Sequence, residues 1–321
     1  MLGDAIHALA NSLADAMSFG PDDHPDVLIV GAGPAGLTAA TYLGRFRRRV
    51  LVADGGPPRA CWIPVSHNMA GFPEGITGEA ILKRMRDQAL EYGAVIEAGC
   101  VEAIRRDGDG FVATMNGRQI RARAVLLATG VVDHHPDLPG VEDAIKRSLV
   151  RICPICDAYE AIDKSVAIIG RDDRGIREAA FMRTYTDRVT LIHVGPPDAL
   201  TEREALDRLG VRLVECAIEA VEIGEDRITA LNWSGGRHAF DLLYSALGTT
   251  PNADLARELS VALTEDDLLK VDAHSATSIP GFYAAGDVVK GLNQIAVATS
   301  DAALAATDIH NRLRKADGQT V

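Results

Sequence analysis

Apolar residues in this chain recur at two different spacings. At the N-terminus Leu2, Ile6, Leu9, Leu13 and Met17 follow one another at three- and four-residue steps, which predicts an amphipathic helix. Further on the pattern changes to short apolar runs closed by glycine. Asp26-Val-Leu-Ile-Val30 reads as a β run and leads into Gly31-Ala-Gly-Pro-Ala-Gly36 and the helical stretch LTAATYLGRF. A second strand, Arg49-Val-Leu-Val-Ala53, ends at Asp54. Strand, glycine turn, helix, strand and acid in that order predict a dinucleotide-binding βαβ unit. In such a unit Gly31 makes the tight turn, Gly33 lets backbone approach a pyrophosphate, and Gly36 permits close packing of helix on strand. Asp54 is placed to accept a ribose hydroxyl.

The same grammar returns later. Ser165-Val-Ala-Ile-Ile169 runs into Gly170-Arg-Asp-Asp-Arg-Gly175, the helical IREAAFMRTY, and the strand Val189-Thr-Leu-Ile-His193. Two further strand ends are Val125-Leu-Leu-Ala-Thr-Gly130 and Phe282-Tyr-Ala-Ala-Gly-Asp-Val-Val289. The second is followed by the small-residue helix IAVATSDAALAATDIHNRL, so Asp287 is expected between a buried strand and a helix N-terminus, where backbone N–H groups hold phosphate. The expected fold is α/β, with two Rossmann-like, three-layer nucleotide-binding domains.

Composition narrows the function. The 321 residues suggest about two domains, and 47% hydrophobic with 24% charged residues fits a globular chain. A formal net charge of -12 argues against a nucleic-acid partner. No apolar run approaches the roughly 18 residues of a membrane span. The first 25 residues contain neither Lys nor Arg, which fits no secretory or transit signal and no membrane-surface helix. The bland expectation for that helix is packing on the body or on a dimer partner.

Five cysteines, Cys61, Cys100, Cys153, Cys156 and Cys216, are too few for a disulfide scaffold, and a cytoplasmic location is expected. Cys153 and Cys156 form a CxxC within RICPICDAYE. A closed zinc site needs about four ligands. The other cysteines supply no second CxxC and His134-His135 are adjacent, so no metal is expected. A redox pair and a buried inert pair both remain open on the residues alone.

Taken together, the segments resemble the low-molecular-weight thioredoxin reductase family of flavoproteins, over about residues 26 to 315. GAGPAG, with Gly31, Gly33, Pro34, Ala35 and Gly36, resembles the family's FAD pyrophosphate turn, and Asp54 its adenosine-ribose acid. Ala128-Thr129-Gly130 resembles the return strand of the FAD domain. Gly286 and Asp287 resemble the motif whose acid binds the ribityl and phosphate part of FAD. Gln294 and Ile295 stand where backbone approaches the flavin ring, and Asn68 in SHNMAGFP would lie near it. The resemblance implies a homodimer and an FAD domain in two pieces, 26–135 plus 249–321. An inserted NAD(P)-type domain, 136–248, carries the CxxC, and 1–25 form an extension. By the same resemblance Cys156 faces the flavin, Cys153 attacks an outside disulfide, and Asp157 moves a proton to or from the leaving thiol. A helix N-terminal acid is the structural alternative for Asp157.

The second glycine turn departs from the family. Asp172 stands where the middle glycine belongs. Two like charges about 5 Å apart at an effective dielectric near 20 repel by roughly 3 kcal/mol, on the order of a hundredfold in affinity. After the next strand comes His193-Val-Gly-Pro-Pro-Asp198, with no arginine pair for a 2'-phosphate. Arg171 and Arg174 can return part of the phosphate binding. The residues therefore argue for FAD and against NADPH.

Two offshoots of the family keep FAD and CxxC without a pyridine-nucleotide site. They are NADPH-independent thioredoxin reductases and oxygen-dependent oxidases of small dithiols. The form CP-x-C-x-x-YE resembles both. The first expectation is a thiol–disulfide oxidoreductase whose partner is a thioredoxin-like protein or a small dithiol or disulfide. The alternatives are the dithiol oxidase and a non-catalytic flavin-binding sensor or relic.

Overall fold

A computed structural model describes residue 19 and residues 24–224, 228–234 and 236–320. The N-terminal helix expected over 1–25 lies outside the described residues, save positions 19, 24 and 25. The chain begins with β1 (Val27–Val30), α1 (Pro34–Arg45), β2 (Val50–Asp54), α2 (Gly78–Glu91), β3 (Val95–Ala98), β4 (Val101–Asp107), β5 (Gly110–Met115), β6 (Arg118–Ala122) and β7 (Ala124–Leu127). There follow β8 (Val131–Asp133), α3 (Val141–Lys146), β9 (Val150–Arg151), α4 (Pro154–Asp157), β10 (Val166–Gly170), α5 (Asp173–Met182), β11 (Val189–His193), α6 (Glu204–Leu209) and β12 (Arg212–Glu215). The last part holds β13 (Ile218–Ile223), β14 (Ile228–Trp233), β15 (Gly236–His238), β16 (Leu242–Ala246), β17 (Thr249–Pro251), α7 (Asp254–Glu258), β18 (Phe282–Ala284) and α8 (Ile295–Ala316).

Two compact units result. The first gathers the chain up to residue 61, residues 79–131 and residues 251 onward; the second gathers 62–78 and 132–250. Strands β8 and β17 pair where the chain passes from one unit to the other and back.

The first unit is built on the sheet β18-β7-β1-β2-β3, whose strands run parallel. Its continuous apolar runs follow from burial on both faces. Leu28, Val30, Leu51, Ala53, Val125 and Leu127 share a core with Ile104, Phe111, Ala113, Met115 and Ile120 of the antiparallel sheet β4-β5-β6. Helices α1 and α8 pack on each other and against sheet strands. Each fully buried Leu, Ile or Val contributes about 1.5–3 kcal/mol, which is why the central strands carry so few polar residues.

The second unit repeats the plan. Its parallel sheet is ordered β12-β11-β10-β16-β9. Alternation along β10 divides two cores. Val166 and Ile168 pack with Ile176, Ala179 and Met182 of α5, whereas Ala167 and Ile169 pack with Ile228, Leu231 and Trp233 of the sheet β13-β14-β15. The molecule is thus α/β with two Rossmann-like parallel sheets. Among the described residues no helix is long and apolar enough to cross a membrane.

Asp287 stands between β18 and α8, which starts at Ile295. Gly286 turns the chain at φ +79°, and Val288 and Val289 then bury in the first unit's core. That burial draws the backbone along the sheet, where Val289 bridges Leu269, before the helix can begin.

Candidate active site

The first glycine turn is fixed by backbone crowding. Gly31 has φ +113°, and a Cβ there would lie 2.3 Å from the Ala128 carbonyl oxygen. At Gly36 a Cβ would lie 1.9 Å from the Gly31 oxygen, so the helix approaches its own entry turn too closely for any side chain. Gly33 differs: only Pro58 Cβ lies near its Cβ direction, at an ordinary 3.6 Å. Gly33 is the N-cap of α1 and makes no side-chain cap, and Pro34 supplies the first-turn residue that lacks an N–H anyway. The first turn of this helix contains no acidic residue, and backbone amides at such a helix start are an arrangement that receives phosphate.

Other expected residues lie in the same unit, and some of them meet this turn. Ala35 contacts the second turn, since a Cβ on Gly286 would lie 3.0 Å from Ala35 Cβ. Ala128 N donates to Val30 O at 2.8 Å. Thr129 Oγ1 donates to Asn252 O at 2.7 Å, Asn252 Nδ2 returns a bond to Thr129 O at 2.9 Å, and Gly130 turns with φ +65°. Asp54 ends β2; its Oδ2 accepts from Arg86 Nη1 at 2.7 Å and its Oδ1 from Gly56 N at 3.3 Å. Gln294 is the N-cap of α8 and Ile295 its first residue. Asn68 lies in the segment 62–78, which is grouped with the second unit. Its Oδ1 accepts from Ser66 Oγ at 2.9 Å.

A residue absent from the sequence reading joins the site. Arg59 Nη1 donates to Asp287 Oδ2 at 3.0 Å, with both side chains largely buried. Arg59 directly follows Pro58, the neighbour of Gly33, so one loop ties the glycine turn to Asp287. Its signal in the sequence is only a lone Arg in GGPPRACW, with no periodicity to mark it.

In the second unit Cys153 and Cys156 form a disulfide across a four-residue helical turn, with Cα atoms 5.3 Å apart. Cys156 N donates to Cys153 O at 3.0 Å, which closes the turn. Asp157 ends the turn. Its Oδ1 accepts from Tyr244 Oη at 2.9 Å, and its Oδ2 lies 3.1 Å from Arg151 Nη1. Burial pushes the Asp157 carboxyl above the ordinary range. The Arg151 charge and the Tyr244 hydrogen bond pull it back only in part, and Glu160 adds a smaller push upward. A carboxyl held this way keeps its proton to higher pH than a surface aspartate.

Two of the remaining cysteines, Cys61 and Cys216, are held in the thiol form by their surroundings. Burial, with Glu79 and Asp54 nearby, pushes the Cys61 thiol up, and burial with Glu219 does so for Cys216. Both shifts disfavour the thiolate that exchange requires. Cys100 is exposed.

The second glycine turn keeps its outer glycines and fills its middle. A Cβ on Gly170 would lie 2.8 Å from Gly175 Cα, so these two meet as packing glycines do. Asp172 is the N-cap of α5, its Oδ1 accepting from Arg174 N at 2.8 Å. Helix α5 thus starts at Asp173, earlier than the turn pattern suggests, because an aspartate cap is available. Downstream, His193 is buried with Nε2 2.8 Å from Pro196 O, and Arg203 is held by both oxygens of Glu215.

Glu178, also on α5, has a buried Oε2 without a hydrogen-bond partner, and its pKa is pushed up to about 7, chiefly by burial. The folded chain holds this proton through a window where the unfolded chain has lost it. Its contribution to stability is therefore full below the ordinary glutamate value of 4.5 and is lost as pH rises through about 7. Glu178→Gln is expected to flatten that window, gaining on the order of 2–3 kcal/mol at about pH 8 relative to about pH 5. Urea unfolding at the two pH values checks it.

Comparison with known proteins now bears on this arrangement. Residues 25–302 match the family model described as "Pyridine nucleotide-disulphide oxidoreductase". A thioredoxin reductase of Aquifex aeolicus (strain VF5) is 33% identical over 287 residues, covering 84% of this chain and 87% of that one. The crystal structure of HlmI superposes with a TM-score of 0.85 at 28% identity, covering 94% of this chain and 96% of that one. Thioredoxin reductase from Streptococcus pyogenes MGAS5005 superposes with a TM-score of 0.84 at 25% identity, covering 91% and 99%. With matches of that span, a disulfide between Cys153 and Cys156, and two Rossmann-like sheets, this chain belongs to the pyridine nucleotide-disulphide oxidoreductase family and is a disulfide oxidoreductase of the low-molecular-weight thioredoxin reductase type.

Proposed function

We propose that the chain is an FAD-dependent thiol–disulfide oxidoreductase that works through Cys153 and Cys156 without a pyridine-nucleotide site of its own. The observation that carries the reading is the disulfide turn ending in a buried, partnered Asp157. Nothing in a merely structural staple calls for a carboxyl there whose proton affinity is raised.

The first unit fits FAD. The start of α1, whose first turn carries no acid, and the open side of Gly33 suit a diphosphate, and Asp54 suits a ribose. Gly31, Gly33, Pro34, Ala35 and Gly36 would form the turn. Ala128, Thr129, Gly130, Gly286, Asp287, Gln294 and Ile295 would line the rest. When bound, FAD supplies a two-electron acceptor or donor for the thiol pair. Arg59, bonded to Asp287 beside the turn, would balance diphosphate charge. Arg59→Ala is expected to weaken FAD binding to the apoprotein by about tenfold, and Arg59→Lys to restore part of it, read by quenching of flavin fluorescence.

The sulfur chemistry follows from the residues present. In the reducing direction one thiolate of the open pair attacks a substrate disulfide. One substrate sulfur enters a mixed disulfide, and the other leaves and takes a proton from the Asp157 carboxyl. The second cysteine then attacks its partner, which closes Cys153–Cys156 and frees the substrate dithiol. The reverse sequence oxidises a dithiol. The preferred partner is a thioredoxin-like protein, and a small dithiol or disulfide is the second choice. A homodimer in the cytoplasm is part of the proposal.

Asp172 supports the view that NADPH is not the donor. It already places a carboxylate on the first amides of α5, where a diphosphate would bind. This favours a second reading as well, in which the dithiol substrate is itself the electron source and the enzyme is an oxidase. The deciding experiment is anaerobic titration with dithiothreitol, followed by air. Loss of the visible flavin absorbance supports thiol–flavin exchange, and its absence would leave a flavin-binding relic. Fast return in air favours the oxidase, and slow return the reductase.

A further inference from the structure

Asp157 is held from one rung of a parallel strand pair. Tyr244 of β16 stands opposite Arg151 of β9, two residues before Cys153. Tyr244 is fully buried, and the Arg151 side chain is only 11% exposed. Each reaches two atoms of Asp157. Arg151 Nη1 donates to the Asp157 backbone oxygen at 3.0 Å and lies 3.1 Å from Oδ2. Tyr244 Oη is 3.2 Å from the same backbone oxygen and 2.9 Å from Oδ1.

A cap on the last carbonyl of the turn would need only the backbone contacts. The two side chains also grip both carboxylate oxygens from opposite ends. Tyr244 has a single hydrogen to give, so it serves the carboxylate when Asp157 is ionised and can return to the carbonyl when it is not. Burial and the Asp157 charge hold the Tyr244 hydroxyl far above its ordinary pKa, so it stays a donor. The other charged group acting on Asp157 is Glu160, from the turn that follows. Helix α5, packed on the disulfide turn, carries Asp173, Arg174, Arg177 and Glu178.

We propose that Arg151 and Tyr244 are positioning residues for thiol–disulfide exchange, which fix the direction of the Asp157 carboxyl and set the pH at which it releases its proton. The inference rests on the reading of Asp157 as the proton carrier and deepens it. No other reactant is needed, because the proton that leaves Asp157 is the one gained by the departing sulfur.

The test is the pH dependence of the rate at which dithiothreitol opens Cys153–Cys156. Opened thiols are counted by alkylation and mass, so the readout does not depend on flavin colour. Removing a donor to the charged form raises a carboxyl's pKa. Tyr244→Phe, which keeps the ring, is therefore expected to move the Asp157-linked inflection up by about one pH unit. Arg151→Met is expected to move it at least as far, with Arg151→Lys staying near the parent. Asp157→Asn is expected to remove the inflection. If Asp157→Asn removes it while Tyr244→Phe and Arg151→Met leave it at the parent pH, the two residues are only caps and the inference is overturned, with Asp157 still the proton carrier. If Asp157→Asn leaves the inflection in place, both readings fall. Should Arg151→Met not fold, Tyr244→Phe and Arg151→Lys decide the matter.

Discussion

Cys156→Ser is expected to abolish exchange with dithiols, lowering the rate of flavin reduction by dithiothreitol by on the order of a thousandfold or more. The reason is stoichiometric. Two-electron transfer through sulfur requires a pair that opens and closes, and Cys153 alone can reach only a mixed disulfide with the reagent. The fold should survive, because the disulfide closes a loop of only four residues and removes little chain entropy from the unfolded state. The checks are anaerobic stopped-flow absorbance and mass spectrometry of a trapped adduct on Cys153. Undiminished flavin reduction in both Cys156→Ser and Cys153→Ser would rule the pair out as the route.

The second large effect concerns the nucleotide. NADPH and NADH are expected to leave the flavin of the parent protein oxidised in an anaerobic titration that dithiothreitol completes. Asp172→Gly removes a carboxylate from the start of α5 and frees the Arg174 amide. It is expected to raise affinity for pyridine nucleotides by up to about a hundredfold, the inverse of the roughly 3 kcal/mol repulsion between like charges about 5 Å apart. The cost in stability should be small, since glycine is itself a tolerable N-cap and the exchange loses a few tenths of a kcal/mol. Isothermal calorimetry with NADPH measures the change. Near-stoichiometric bleaching of the parent by NADPH would show that Asp172 is no barrier.

The architecture was largely readable because its signals are local. Apolar runs such as Val27–Val30 and Val166–Gly170, each closed by a glycine turn, leave few alternatives to parallel strands buried on both faces. Asp172 also announced itself, since one letter differs from the expected glycine. What the sequence concealed is pairing across distance. Arg59 meets Asp287, and Arg151 meets Tyr244, through folds of the chain that no periodicity encodes.

The rung that joins Arg151 to Tyr244 has a consequence for related genes. Strand side chains alternate with a period of two. One residue inserted between Arg151 and Cys153 would carry the guanidinium to the other face of the sheet and leave the tyrosine bonded to a carboxyl with no cation. The interval Arg-x-Cys-x-x-Cys-Asp and a tyrosine nearly a hundred positions later should therefore be inherited as one trait. Lineages that lose either partner are expected to have lost the other, or to have replaced the aspartate between them.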